Sequence, residues 1–240
     1  MMAIAQRTIE YVHEGIRHIG FMAFDDSKTK PLPGIMIAPT WAGRDRFACA
    51  KALRLAELGY AAFAIDMYGE SQVGVGAEAC AKLMTPLVED RALLKDRINK
   101  ALDIFKDQSE VDRNRVAAMG FCFGGLCVLD LARSGASLQG VISFHGIFTP
   151  PESGTVKAII PKILVMHGFD DPMATPDQAI ALGHELSQHQ ADWQIHLYGQ
   201  TAHAFTNPLA NDPGFGTVYN ETADMRSWES LLDFLKEVLK

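Results

Sequence analysis

The chain has 240 residues, 48% of them hydrophobic and 21% charged, with a formal net charge of −7. That composition suits a folded globular protein and excludes a chain that is mainly disordered. The acidic balance argues against a nucleic-acid or membrane partner, since both need a surplus of Lys and Arg, and no charge-free apolar run approaches the roughly 18 residues that span a bilayer.

Met1 to Arg7 lacks the apolar stretch of a secretory signal, so a cytoplasmic location is expected. Thr8 to Phe24 alternates loosely about a Gly15 turn and reads as two short antiparallel strands. Gly34 to Ala38 is a short buried strand, and Arg44 to Leu58 has helical spacing that stops at Gly59. Ala61 to Ile65 is a second apolar strand, and helical spacing returns from Leu87 to Phe105. Val116 to Met119 is a strand that leads into a helix from about Cys122 to Ala132. Val141 to Phe144 and Ile163 to Met166 are two further strands, with a helix from about Pro176 to His189 and a strand from Trp193 to Tyr198 behind them. Met225, Trp228, Leu232, Leu235 and Leu239 mark a C-terminal helix.

Strands that are continuously apolar have both sheet faces covered. Alternating with helices, they predict an α/β fold: a doubly wound, mostly parallel sheet flanked by helices, with short antiparallel N-terminal strands. No linker divides the chain, so residues 1–240 are expected to form a single domain. In such sheets ligands bind beyond the carboxyl ends of the strands.

Beyond one strand stands Gly120-Phe121-Cys122-Phe123-Gly124-Gly125. A nucleophile on a sharp strand-to-helix turn needs small residues two positions before and after it, and the helix N-terminus favours a thiolate. Beyond two later strands come His167-Gly168-Phe169-Asp170-Asp171-Pro172 and Ala202-His203-Ala204-Phe205. Cys122 is the candidate nucleophile and His203 the candidate base. A carboxylate must orient the imidazole: Asp171 suits that role, with Asp170 as the alternative. The other cysteines, Cys49, Cys80 and Cys127, form no CxxC pair and read as packing residues. His167 is expected to bond backbone, and His145 either lines the pocket or is structural. No cluster has metal-ligand spacing, so neither a metal nor an organic cofactor is expected. The oxyanion hole is expected from the backbone N–H of Phe123 and one from Pro39 to Gly43, with Trp41 favoured. Tyr68, His145 and Phe205 are candidate pocket walls. Two loops, Gly69 to Gly76 and Phe205 to Tyr219, could cover the site.

With these residues in place, the sequence resembles the dienelactone hydrolase family of the α/β-hydrolase fold. The resemblance rests on the Gly-Phe-Cys-Phe-Gly-Gly, His-Gly-x-x-Asp-Pro and Ala-His-Ala-Phe-Thr-Asn-Pro motifs, with Tyr219 and the Trp228-bearing last helix. It implies a Cys122–His203–Asp171 triad that hydrolyses enol lactones and related activated esters without a cofactor. Two departures bear on the substrate. Thr40 stands where named members carry a Glu that holds the resting thiol, and Glu70 stands where they carry an Arg that binds the substrate carboxylate. Thr40 and Glu70 are therefore expected at the substrate, and dienelactone itself is disfavoured. The expected partner is a small ester or lactone. The alternative is a non-catalytic scaffold that binds a small ligand or a partner protein. Nothing in the sequence sets the oligomeric state.

Overall fold

The computed structural model describes residues 3–152, 154 and 156–240; Met1, Met2, Ser153 and Thr155 lie outside the described residues. The chain opens with a hairpin, β1 (Ile4–His13) and β2 (Ile16–Asp25), turned at Glu14 and Gly15, both at positive φ. Then follow β3 (Leu32–Ala38), α1 (Arg46–Ala56), β4 (Ala61–Ala64), α2 (Ala77–Glu89), α3 (Arg91–Lys106), β5 (Val111–Phe121) and α4 (Phe123–Arg133). The second half runs β6 (Gly140–Phe144), β7 (Lys162–Gly168), α5 (Pro176–Gln188), β8 (Trp193–Tyr198), a small hairpin of β9 (Asn211–Asp212) and β10 (Thr217–Val218), and α6 (Glu221–Val238).

Eight strands form one sheet in the order β1-β2-β4-β3-β5-β6-β7-β8. β1 pairs with β2 and β2 with β4 antiparallel, and every pairing from β4 to β8 is parallel. The apolar runs of β3 to β7 are explained by two separate cores. Alternation sends Met36 and Ala38 to one face and Ile35 and Ile37 to the other. The first face is covered by α3, α4 and α5 through residues such as Leu94, Leu126 and Leu182. The second is covered by α1 and α6 through Ala52, Leu55, Trp228 and Leu231. β8 is the far edge strand, and its residues, none of them fully buried, fit that place.

Two features depart from the sequence reading. The helical stretch expected over Leu87 to Phe105 is two helices meeting at Asp90. Asp90 leaves helical geometry (φ −112°, ψ 84°) and its carboxylate caps α3 by accepting from Leu93 N at 2.9 Å. Asp is a strong N-cap, and here the cap outweighs the continuous apolar spacing. The loop from Phe205 to Tyr219 also contains β9 and β10, which two-residue strands leave invisible to periodicity.

The helix behind the candidate nucleophile is clamped by a buried charge network. Asp130 on α4, fully buried, accepts from Arg91 at the start of α3 (2.5 and 2.6 Å) and from Arg133 at 3.2 Å. Arg133 in turn grips Glu185 on α5 at 2.7 and 2.8 Å. Removing one member strands the buried charges of the others. Asp130→Ala is expected to lower unfolding free energy by about 3–5 kcal/mol, measured by urea denaturation at neutral pH.

Candidate active site

The elbow is built by close backbone approach. Cys122 caps α4 in a left-handed conformation, φ 57° and ψ −117°. A non-glycine residue there stores on the order of 1–3 kcal/mol of strain, which the surroundings must hold. They do so through three glycines. A Cβ on Gly120 would overlap the Gly124 carbonyl, and one on Gly124 would overlap the carbonyl oxygens of Ala38 and Pro39. A Cβ on Gly125 would run into Ser143 Oγ and Gly146 Cα. Helix α4 thus sits directly on β3 and β6, and its first turn points at the space above the sheet. The Cys122 N–H closes the arrangement by donating to Phe144 O at 3.1 Å.

The two partners arrive from the next strands. Asp171 follows β7, is buried, and has Oδ1 fixed by the N–H groups of Met173 (2.8 Å) and Ala174 (3.2 Å). Its Oδ2 accepts from His203 Nδ1 at 2.6 Å. This sets the imidazole tautomer and leaves Nε2 for the sulfur side of the ring. Among the described residues Nε2 has no hydrogen-bond partner. The backbone of His203 is held by the second strand of the β9–β10 hairpin, in a parallel bridge to Thr217: its N–H donates to Gly216 O, and its carbonyl accepts from Val218 N, each at 3.0 Å. Asp170 points outward and is exposed, so the carboxylate that reaches the imidazole is that of Asp171. His167 is buried and pairs with the Ala174 carbonyl at 2.7 Å, and burial lowers its pKa, so it is a neutral Nε2–H donor.

The electrostatics favour an ion pair. Burial alone would push the Cys122 thiol up. The positive charge of His203, joined by the backbone N–H groups of Phe123 and Trp41 directed at the sulfur, outweighs it and holds the thiol below its ordinary value. Burial would likewise lower His203, yet the Cys122 thiolate and the Asp171 carboxylate raise it to about 10. The remaining thiols behave oppositely: burial raises Cys49, Cys80 and Cys127.

These groups open on a cavity of about 450 Å³. Thr40, Trp41, Cys122, His145 and His203 line it. His145, at φ 36°, donates or accepts at Thr206 Oγ1 over 2.8 Å, and its ring meets His203 edge-on at 5.1 Å. Burial takes its pKa well below the ordinary value, so it is neutral. Thr40 turns its hydroxyl back to accept from Ala42 N at 3.2 Å.

Three residues expected at the substrate do not line the cavity. Glu70 lies outside it, half exposed, and binds Arg17 at 2.9 and 3.2 Å. The turn after β4, with Glu70 itself at φ 52°, carries its side chain away from the site. Phe205 is fully buried behind the wall, against His145 and Tyr198. Tyr68 is also behind the wall, its ring on Phe123 and its hydroxyl on the Trp41 carbonyl. Conversely Phe47, Met84, Ile147, Met173 and Phe215 do line the cavity. Phe47 and Met84 sit on helices and carry no motif, and only Phe215, within the glycine- and proline-bearing loop already suspected of covering the site, left a local signal. Phe215 stacks on Trp41 at 5.8 Å and 18° across the mouth. Among the described residues no group of three or more His, Cys, Asp or Glu could hold a metal ion, and no helix is long and apolar enough to cross a membrane.

The geometry joins a thiol of lowered pKa, an imidazole paired with a carboxylate and two N–H donors above one strand end. That set is suited to acyl transfer. Comparison with known proteins points the same way. Residues 20–239 match the family model of the dienelactone hydrolase family. The fold superposes with a TM-score of 0.95 on the crystal structure of a dienelactone hydrolase-like promiscuous phosphotriesterase, P91, from metagenomic libraries, at 38% identity over 99% of this chain and 100% of that one. An uncharacterized protein of Caenorhabditis elegans is 37% identical over 147 residues, 60% of this chain and 93% of its own length. A probable 2-oxo-3-(5-oxofuran-2-ylidene)propanoate lactonase of Bradyrhizobium is 24% identical over 218 residues, covering 87% of this chain and 85% of the relative.

Iodoacetamide should alkylate Cys122 ahead of Cys49, Cys80 and Cys127, as read by peptide mass mapping. Its rate should titrate with a midpoint below the value of about 8.5 for a free thiol. As pH falls through the lowered thiol pKa, the thiolate is protonated and the rate drops. Raising pH past the raised His203 value deprotonates the imidazole but leaves the thiolate, so alkylation does not fall again. In His203→Ala the acid limb should move upward.

Proposed function

The chain belongs to the dienelactone hydrolase family, and from that premise we propose that it hydrolyses small, uncharged, activated esters or lactones through a Cys122–His203–Asp171 triad and an acyl-thioester. The observation that supports this reading most is the 2.6 Å bond from His203 Nδ1 to a buried Asp171, with Nε2 left facing a strained thiol whose pKa is lowered.

The steps balance as follows. The Cys122 thiolate attacks the carbonyl carbon, and the C=O electron pair moves onto oxygen. The Phe123 and Trp41 N–H groups take that negative charge. The carbon–oxygen bond to the leaving group breaks, and His203 Nε2–H protonates the departing oxygen. A thioester remains. Water then gives a proton to His203 Nε2 as its oxygen adds to the thioester carbon. Collapse expels the thiolate, and acid and alcohol leave; for a lactone these are one hydroxy acid or its keto form. Asp171 keeps the imidazole aligned and stabilises its cation throughout. A thiolate is a better leaving group than an amine, so adducts of amides revert and activated esters go forward.

The preference for uncharged substrates rests on the wall. Among the described residues no Lys or Arg lines the cavity. Arg44, the nearest candidate by sequence, is committed to the Ile19 carbonyl and to Ser71 Oγ, each at 2.7 Å. A carboxylate-bearing lactone would enter without a counter-ion, at a cost of several kcal/mol.

A second reading is phosphotriester cleavage at the same thiol. It is favoured by the likeness to the P91 structure. It differs in requiring attack at phosphorus, and an aryl dialkyl phosphate in the same screen tests it.

A panel of small lactones and aryl esters tests the proposal. Cys122→Ala should lose at least a thousandfold in kcat/KM while the melting temperature stays near wild type; equal turnover in the variant would remove the sulfur from the mechanism, and no turnover by the wild type would favour a binding scaffold. Glu70→Arg should leave kcat/KM for neutral and carboxylate-bearing lactones within about twofold of wild type, because surface changes away from a site are usually small.

A further inference from the structure

The loops after β3 and after β4 meet beside the nucleophile, and one side chain joins them. We infer that Tyr68 is a positioning residue of the oxyanion hole: its hydroxyl donates to the Trp41 carbonyl at 2.8 Å while its ring stacks on Phe123 at 6.1 Å and 14°. One side chain thus touches both residues whose N–H groups face the sulfur. The inference deepens, and rests on, the acyl-transfer reading above.

The mechanical case is local. The N–H and carbonyl of Trp41 are linked through that residue's own φ and ψ, so anchoring the carbonyl restricts the swing of the N–H. The Trp41 N–H shares a rigid peptide plane with the Thr40 carbonyl, which the turn holds on one side, and the Trp41 carbonyl lies in the next plane, which no bond of the turn holds. The turn's own bonds run from Gly43 N to Thr40 O at 3.0 Å and from Ala42 N to Thr40 Oγ1 at 3.2 Å. Tyr68 supplies a second tie, from outside, on that following peptide, so the φ and ψ of Trp41 are fixed from both ends. The turn also lies directly on its ring: a Cβ at Gly43, at φ +87°, would come within 3.1 Å of Tyr68 Cδ2 and 2.6 Å of Gln72 O. The Gly74 N–H holds the Ala42 carbonyl at 3.0 Å.

Tyr68 is itself fixed. Buried Asp66 accepts from the N–H groups of Tyr68 (3.1 Å) and Gly69 (2.9 Å) through Oδ1, and from those of Ile19 (3.1 Å) and Ser71 (2.9 Å) through Oδ2. Burial raises the phenol far above its ordinary pKa, so the hydroxyl keeps its proton and stays a donor at any working pH. Since Tyr68 does not line the cavity, its effect on turnover runs through the two peptides rather than through substrate.

The test uses Tyr68→Phe, which keeps the ring and deletes the hydroxyl, and Tyr68→Met as a second hydroxyl-free variant. With p-nitrophenyl acetate, kcat should fall by about tenfold, less than the hundredfold or more that follows loss of a donor outright, while KM stays within about twofold. Iodoacetamide alkylation of Cys122, read on the alkaline plateau of its pH profile where the thiol is ionised with or without the Trp41 N–H, should be unchanged, because substitution at an alkyl carbon creates no oxyanion. A small trifluoromethyl ketone, which forms an oxyanionic thiohemiketal with the thiol, should bind about tenfold more weakly. A folded variant with wild-type kcat and ketone affinity overturns the inference. So does an equal loss of alkylation, which would mark Tyr68 as merely structural. Should the wild type turn over no ester, the function reading fails by itself, and ketone affinity still decides the role of Tyr68.

Discussion

The contact on which the site depends is the seat of helix α4 against the sheet. It is a contact of backbone on backbone, with the Gly124 Cα over the carbonyls of Ala38 and Pro39 and Gly120 under the carbonyl of Gly124. It fixes three things together. Cys122 is forced into a conformation that lifts its side chain off the sheet. The first N–H of the helix is turned toward the sulfur. The loop after β3, whose Trp41 N–H faces the same atom, is brought alongside. A single added methyl group at either glycine would part these elements, so the strain at residue 122 and the polarity around its sulfur have one origin.

On that seat the charges are arranged by burial and pairing rather than by any net field. The chain is acidic overall, yet the thiol is lowered by a neighbour that is itself raised. Desolvation opposes ionisation of both Cys122 and His203. Their mutual attraction, the 2.6 Å bond to Asp171 and the two N–H groups win over it. At the nearby His145 and His167 rings burial wins, even against the Asp171 carboxylate 3.5 Å from His167 Nε2, and both are pushed to the neutral side. Two imidazoles kept uncharged beside one kept charged is a division made by surroundings, since all three begin with the same intrinsic affinity for a proton.

Much of this was legible in the sequence because it is written in short-range spacing. Gly120, Cys122, Gly124 and Gly125 declare a close turn locally, and a strand followed at once by Asp171 or His203 places each at a sheet edge. The doubly wound sheet followed from apolar runs without alternation. What was not legible depends on where chains go after they leave a strand. Glu70 occupies the sequence position of a substrate-facing residue, but its turn carries it to Arg17 on the outside. Tyr68 and Phe205 are near the site in sequence order and one layer behind it in space. Phe47, Met84 and Ile147 form the wall from separate elements, and no local pattern distinguishes a helix residue facing a cavity from one facing core. The break at Asp90 was hidden because apolar spacing continues in phase across it, and only the capping carboxylate marks the interruption.

The short hairpin beside His203 serves two places at once. Its second strand holds both the N–H and the carbonyl of that residue, and its tip carries the ring that meets Trp41 over the doorway. The hairpin therefore ties the mouth of the cavity to the main chain that carries the imidazole, so a change at the tip acts on the doorway and on the ring together.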